Sequence, residues 1–256
     1  MNQVAQNAIK LFGNNKPCKC GGSHDICLNC ERCRVNDADR TFNPDSGIAS
    51  IIDATILKAN ATATDVSALC NIANEYHTAS VCINSHFIPQ IKAELIPGIK
   101  SCTVINFPLG ASSPEAIAAE AKAVLDARVD EVDMVQNLSA LLSCDYESAV
   151  KSINAVAKLC QGNALLKVIL ETCYLSDELI IISCLIAKKA GADFVKTSTG
   201  FGSAGATPEN IALMRSVVGP KLGVKASGGI RNSEQALAMI AAGASRIGAS
   251  SVSALL

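Results

Sequence analysis

From residue 47 onward the chain alternates between two kinds of apolar pattern. One is a run of about five consecutive, mostly aliphatic residues, the ordinary length of a strand. The other is a longer stretch in which apolar positions recur every three or four residues. Unbroken runs suit strands covered on both faces, as in parallel sheets, whereas the recurring pattern suits amphipathic helices. Runs of the first kind predict strands over residues 49–53, 80–84, 101–106, 131–136, 165–171, 193–197, 222–226 and 245–248.

The stretches between them carry helix start signals. Thr62-Ala-Thr-Asp65 has the form of a capping box, in which the two side chains satisfy orphan N–H groups reciprocally. Ser113-Pro114 and Thr207-Pro208 each place a capping hydroxyl before a proline at the one helical position where the missing N–H costs nothing. After Pro114, Ile117, Ala121, Val124 and Leu125 form one apolar face. Ser176-Asp-Glu opens a helix carrying Leu179 and Ile182, and Asn232-Ser-Glu opens one carrying Ala236, Leu237 and Ile240. Eight even alternations predict a (β/α)8 TIM barrel over residues 48–256. A doubly wound open sheet is the competing architecture, but it seldom needs eight such units. Only eight residues follow Gly248, so the last helix is expected to be short or incomplete.

Residues 1–47 do not share the pattern and read as a cysteine-rich N-terminal extension. A short helix is expected near Val4 to Phe12, followed by irregular chain and the polar stretch from Asn36 to Ser46. Five of the twelve cysteines crowd here: Cys18, Cys20, Cys27, Cys30 and Cys33, with His24 among them. That set offers enough soft ligands for one structural Zn²⁺ or an iron–sulfur cluster. It lacks the paired spacing of a zinc ribbon, and a reduced, metal-free appendage is the plainer reading. The remaining seven cysteines are scattered through apolar segments, where a free thiol behaves as a small hydrophobe. A secreted disulfide scaffold would not look like this.

Composition narrows the function classes. Hydrophobic residues make up 49% of the chain but aromatics only 4%, which fits helices packed on an aliphatic parallel sheet. A formal charge of −1 leaves no basic footprint for nucleic acid or an anionic membrane. The longest apolar run, Leu179 to Ala187, is too short to span a bilayer. Met1 to Lys10 lacks the plan of a signal peptide, so a cytoplasmic location is expected.

In this architecture catalytic groups sit at the carboxyl ends of strands. The polar residues there include Asp53, Thr55, Asn84, Asn106, Asp133, Lys167, Lys196 and Lys225. Three are lysines on three successive strands, and a buried ammonium without a partner is strongly unfavourable. Two amines aimed at one place repel, which lowers the pKa of one until it can act as a nucleophile. The three histidines are dispersed, so no metal set of His, Asp and Glu accompanies the lysines. Phosphate sites in this fold commonly use the loops after the seventh and eighth strands. Gly228-Gly229 and Gly248-Ala-Ser250-Ser251 supply glycine backbone and hydroxyls there. The residues alone point to a phosphorylated carbonyl compound held over a reactive lysine.

The motifs Thr103-Val-Ile-Asn-Phe-Pro-Leu-Gly110, Asp130-Glu-Val-Asp-Met-Val135, Leu166-Lys-Val-Ile-Leu-Glu171, Phe194-Val-Lys-Thr-Ser-Thr-Gly200, Val224-Lys-Ala-Ser-Gly-Gly-Ile-Arg231 and Arg246-Ile-Gly-Ala-Ser-Ser251 together resemble the deoxyribose-phosphate aldolases. Ile51-Ile-Asp-Ala-Thr-Ile-Leu57 and Val81-Cys-Ile-Asn84 extend the resemblance to the early strands. It implies a class I aldolase that reversibly splits 2-deoxy-D-ribose 5-phosphate into acetaldehyde and D-glyceraldehyde 3-phosphate, with no cofactor. By motif, Lys196 resembles the Schiff-base lysine, Lys225 its neighbour that tunes it, Asp133 the proton carrier and Lys167 a supporting lysine. Gly200, Gly228, Gly229, Gly248, Ser250 and Ser251 resemble the phosphate cradle. Thr199, Asp53, Thr55 and Cys82 are further candidate substrate contacts, with a hydrogen bond tying barrel layers as an equal reading of Asp53 and Asn84, and packing the plainer reading of Cys82. A thiol at Cys82 near an aldehyde site is also a point at which aldehyde products could inactivate the protein.

Two positions depart from the pattern. Phe201 stands where some members carry a further lysine, and the chain ends at Leu256 without the terminal tyrosine of others. Partners implied are small phosphosugars and aldehydes, with no nucleic acid or membrane, and with a homodimer or higher homo-oligomer left open. Another lysine-based phosphosugar aldolase or a transaldolase remains as an alternative. So does a non-enzymatic platform bearing a metal-dependent head.

Overall fold

The structure is a computed structural model that describes residues 47–256; the cysteines at positions 18–33 and the helix expected near Val4 lie outside the described residues. Eight parallel strands close into a barrel in sequence order, with β8 returning to β1. They are β1 (Ile52–Ile56), β2 (Ser80–Ile83), β3 (Lys100–Ile105), β4 (Glu131–Val135), β5 (Leu165–Ile169), β6 (Phe194–Lys196), β7 (Gly223–Ser227) and β8 (Arg246–Ala249). The TIM-barrel expectation holds, and the open sheet is excluded by the β1–β8 pairing.

The caps fold as the sequence directs. Thr62 and Asp65 form the full capping box of α1 (Ala63–Tyr76). Ser113, Ser176, Thr207 and Asn232 each accept a backbone N–H at the start of Pro114–Asp126, Asp177–Ala190, Pro208–Val218 and Ser233–Ala241. The helices Ile88–Glu94, Leu138–Leu142 and Tyr146–Cys160 complete the outer ring. Ile117, Ala121 and Val124 are buried as their spacing requires. The main apolar core is the layer between this ring and the sheet.

Two expectations change. The first strand begins at Ile52, where pairing to both neighbours starts, and residues 48–51 form a 3-10 turn instead. Asp53 therefore lies near the bottom of its strand and Thr55 near the top. Leu237 is half exposed, because Ala236 and Met239 take the inward positions of its helix. Among the described residues after β8 there are only turns, in keeping with the short or incomplete last helix expected.

Candidate active site

Strand alternation sends every second side chain into the barrel. On β4 those are Glu131 and Asp133, two residues apart; on β5, Lys167; on β6, Lys196; on β7, Lys225; on β8, Arg246. Register places Asp133 beside Lys167 and Lys196 beside Lys225. All are buried, and they form one network of ion pairs with Asp53.

Asp133 is its centre. Lys196 Nζ and Lys225 Nζ both donate to Asp133 Oδ2 at 2.8 Å, while Lys167 Nζ donates to Oδ1 at 2.8 Å. Lys225 also pairs with Asp53, and Lys167 with Glu131 and Asp53. Arg246 Nη1 reaches Asp53 Oδ1 at 2.7 Å and Glu131 Oε1 at 3.2 Å. Burial opposes the charged forms of Asp53, Asp133, Lys167, Lys225 and Arg246, yet the charges around each outweigh it. Lys167, Lys196 and Lys225 hold the Asp133 carboxyl well below the usual carboxylate range. Asp53 is likewise held low by Lys225, Arg246 and Lys167 against its burial. Asp133 and Asp53 hold the Lys225 amine above the ordinary lysine value, and Lys167 is raised in the same way.

Above the network opens a cavity of about 220 Å³. Lys196, Thr55, Thr199, Gly200, Gly228, Gly229, Gly248 and Ser250 all line it, so the structure brings most of the sequence candidates together. Lys225, Asp133, Lys167 and Asp53 do not line the cavity and are joined to it through the Lys196–Asp133 pair. Cys82 is buried beside the network without lining the cavity, and Ser251 points outside the lining set. Gly228 and Gly229 both have positive φ, +84° and +81°, which lets the backbone turn sharply into the cavity wall.

The loop after β6 is fixed from below. Glu171, in the left-handed region at φ +55°, accepts the Thr199 N–H and pairs with its hydroxyl. Thr199 Oγ1 in turn accepts the Phe201 N–H at 3.0 Å. Phe201 leans edge-on against Phe107, with ring centroids 5.4 Å apart, and forms an apolar rim. Asn84 and Asn106 brace loops: Asn84 donates to the Leu57 carbonyl and Asn106 to the Val135 carbonyl. His77 and His86 are exposed and away from the cavity.

Glu131, Arg246 and Glu171 were not among the sequence candidates. Glu131 had a signal, since a residue two positions from Asp133 on a strand shares its face. Arg246 opens a strand, where a charge usually reads as solvated. Glu171 acts through a backbone turn that spacing does not disclose.

These features define a class: a TIM-barrel enzyme with buried amines gathered on one carboxylate at its catalytic end. Residues 48–256 match the family described as DeoC/LacD family aldolase, and the chain belongs to that family. It is an aldolase, a lyase. A deoxyribose-phosphate aldolase of Geobacillus sp. is 50% identical over 209 residues, covering 81% of this chain and 93% of that protein. One from Bacillus cereus is 54% identical over 211 residues, covering 82% and 94%. A solved deoxyribose phosphate aldolase from Aeropyrum pernix, described as a tetramer, superposes with a TM-score of 0.75 at 34% identity, covering 85% of this chain and 92% of that one. No helix among the described residues is long and apolar enough to cross a membrane.

Proposed function

We propose that this aldolase reversibly cleaves 2-deoxy-D-ribose 5-phosphate into acetaldehyde and D-glyceraldehyde 3-phosphate through a Schiff base on Lys196. The observation that carries the reading is one carboxylate oxygen, Asp133 Oδ2, shared by Lys225 and by Lys196, which lines a glycine-walled cavity. The curated relatives bear the same activity in their names.

Charge balance selects the nucleophile. The network sets four cationic side chains against three carboxylates, leaving one positive charge too many for a buried site. Lys167, Lys225 and Arg246 each pair with two or more carboxylates, whereas Lys196 pairs with Asp133 alone. The neutral amine therefore falls to Lys196, which also faces the cavity. It adds to the C1 aldehyde of the substrate, and loss of water gives an iminium ion. The proton of the 3-hydroxyl passes through a water to Asp133 as the C3 carbonyl forms. Electrons of the C2–C3 bond flow into the iminium, leaving an enamine and releasing glyceraldehyde 3-phosphate. Protonation of C2 and hydrolysis then release acetaldehyde and restore the amine. No step draws on a metal or an organic cofactor.

The 5-phosphate would rest against Gly200, Gly228, Gly229, Gly248 and Ser250. The tetrameric relative supports a homo-oligomer for this chain, which light scattering would measure.

Borohydride reduction in the presence of acetaldehyde tests the mechanism. A reduced two-carbon adduct is expected on Lys196 by peptide mapping, and an adduct on another lysine would overturn the assignment. Cleavage of deoxyribose 5-phosphate should also persist in excess chelator.

A further inference from the structure

Inside the barrel, two thiols stand side by side next to the ion-pair network. Cys82 on β2 and Cys102 on β3 are register partners on adjacent parallel strands, and neither is exposed. Neighbouring strands run about 4.8 Å apart, within the roughly 4.4–6.8 Å Cα separation that a disulfide spans. The two Sγ atoms and an Asp133 oxygen all lie within 4.8 Å of one another, and both cysteines are free. Cys102 Sγ donates to Asp133 Oδ1 at 3.4 Å and accepts from Lys167 Nζ at 3.5 Å.

The pair is chemically asymmetric. The adjoining Cys102 side chain brings the Cys82 thiol below its ordinary value, with Lys225 and Lys196 helping against burial and Asp133. Burial, the Cys82 thiol and Asp133 push Cys102 well above it, against Lys167. The other buried thiols offer no such contrast: burial alone accounts for Cys184, and Cys70 and Cys160 are both pushed up to about 12, chiefly by burial. Reactivity follows thiolate character, so Cys82 is the attacking sulfur and Cys102 the resolving one.

We propose that Cys82 and Cys102 form a reversible disulfide when the protein meets a hydroperoxide, and that closing it switches the enzyme off. The Cys82 thiolate attacks the terminal peroxide oxygen, the O–O bond breaks, and the departing alkoxide or hydroxide takes up a proton. Cys82 becomes a sulfenic acid. The Cys102 sulfur then attacks the Cys82 sulfur, the S–O bond breaks, and the leaving hydroxide takes the Cys102 proton to depart as water. Two thiols are oxidised by two electrons, and one hydroperoxide is reduced to an alcohol (or water) plus water. A dithiol reductant reverses the change by exchange.

Access is shared with the reaction itself. Lys196 is only 2% exposed, yet an aldehyde carbon must reach it, and hydrogen peroxide is smaller. Thr55, the β1 register partner of Cys82, lines the cavity. Closure withdraws the Cys102 donor from Asp133 Oδ1 and draws its sulfur toward β2, away from Lys167. Asp133 is the group that Lys196 and Lys225 share, so its displacement disturbs the amine centre. Formation of the disulfide is independent of the proposed reaction; only the loss of activity rests on it.

The full chain, reduced and desalted, would be titrated with hydrogen peroxide, unfolded in an alkylating reagent and mapped by mass spectrometry, with cleavage activity followed in parallel. The expected result is a cross-linked peptide joining Cys82 to Cys102 that accumulates as activity falls about tenfold or more, both recovering with dithiothreitol. In Cys102→Ala, peroxide should carry Cys82 to the sulfinic acid, and the loss should no longer reverse. If both thiols remain alkylatable at doses that inactivate the protein, or if either cross-links elsewhere, the site is wrong. If the disulfide forms while activity persists, the switch is wrong though the site is right. A poorly folded variant leaves the wild-type map decisive.

Discussion

The interior of this barrel has two unlike arcs. Around β4 to β8, and reaching Asp53 on β1, the inward side chains are charged and answer one another in pairs. Across from them, Leu57, Cys82, Cys102 and Val104 form a small apolar and sulfur-bearing cluster, with Phe107 packed on it. The charged arc alone would be a buried salt-bridge network, which is weak grounds for stability because desolvation offsets most of the attraction. The apolar arc alone would be ordinary core. Together they leave Lys196 with a single charged partner, since the facing arc supplies no second carboxylate. One amine is thereby the least paired of the set, which is what the proposed chemistry asks of it.

Removing that amine should produce the largest change. Lys196→Gln keeps an uncharged donor beside Asp133 but cannot form an imine, so kcat/KM for cleavage should fall roughly 10⁴- to 10⁶-fold, the scale of losing a covalent nucleophile. Folding, followed by far-UV circular dichroism, should be unchanged. Retention of more than a hundredth of wild-type activity would move the chemistry elsewhere.

Breaking the charged arc from within should show in stability. Lys167→Met removes the one cation that touches Asp53, Glu131 and Asp133 together. Leaving buried carboxylates short of a partner costs about 3–5 kcal/mol. Val104→Ala on the opposite arc should cost only about 0.8 kcal/mol per carbon removed, plus a cavity term. Urea unfolding of the two variants would separate the arcs; equal losses would mean that the ion pairs add nothing beyond packing.

The same contrast sets a pH profile. Asp53 and Asp133 are held below the ordinary carboxylate value when folded, so their stabilisation is present above about pH 4 and is lost as pH falls toward their folded values. Lys167 and Lys225 are held above the ordinary lysine value, so theirs is present below about pH 10.4 and lost as pH rises beyond it. Stability should form a plateau between these limits. In Asp53→Asn the acid limb should flatten by up to one proton, about 1.4 kcal/mol per pH unit. An unchanged limb would show that Asp53 is not held low in the folded protein.

How much of this could be read beforehand differs between the arcs for a physical reason. Asp133, Lys167, Lys196 and Lys225 announce themselves because a charge inside an aliphatic run must have a partner. Their mutual distances also follow once eight parallel strands close. The sulfur pair does not announce itself, because Cys82 and Cys102 look like any small hydrophobe until register sets them opposite one another. Register is invisible in a sequence, where a slip of one residue reverses every side chain. Asp53 reads as a strand end for the same kind of reason, since the mostly apolar residues 48–51 continue the run but form a 3-10 turn. The extra members Glu131 and Arg246 complete a charge balance that only becomes countable when all seven groups are assembled.

The smallest expected effect lies at the cavity wall, where charge gives way to glycine. Gly228 has φ +84°, and a Cβ there would sit 3.0 Å from Gly205 Cα. Gly228→Ala would combine left-handed strain of about 1–2 kcal/mol with that contact, so the turn should shift away from the cavity. Gly229 has nearly the same φ, +81°, but nothing within 4 Å of its added Cβ, so Gly229→Ala isolates the strain from the contact. If the turn grips the 5-phosphate, Gly228→Ala should raise KM for deoxyribose 5-phosphate about tenfold, equivalent to ~1.4 kcal/mol, with kcat changed less. Cleavage of unphosphorylated 2-deoxyribose, which leaves the grip empty, should change little, and Gly229→Ala should fall between the variant and the wild type. Equal losses on both sugars would make these glycines a folding requirement alone, and would return the phosphate contact to Gly200, Gly248 and Ser250.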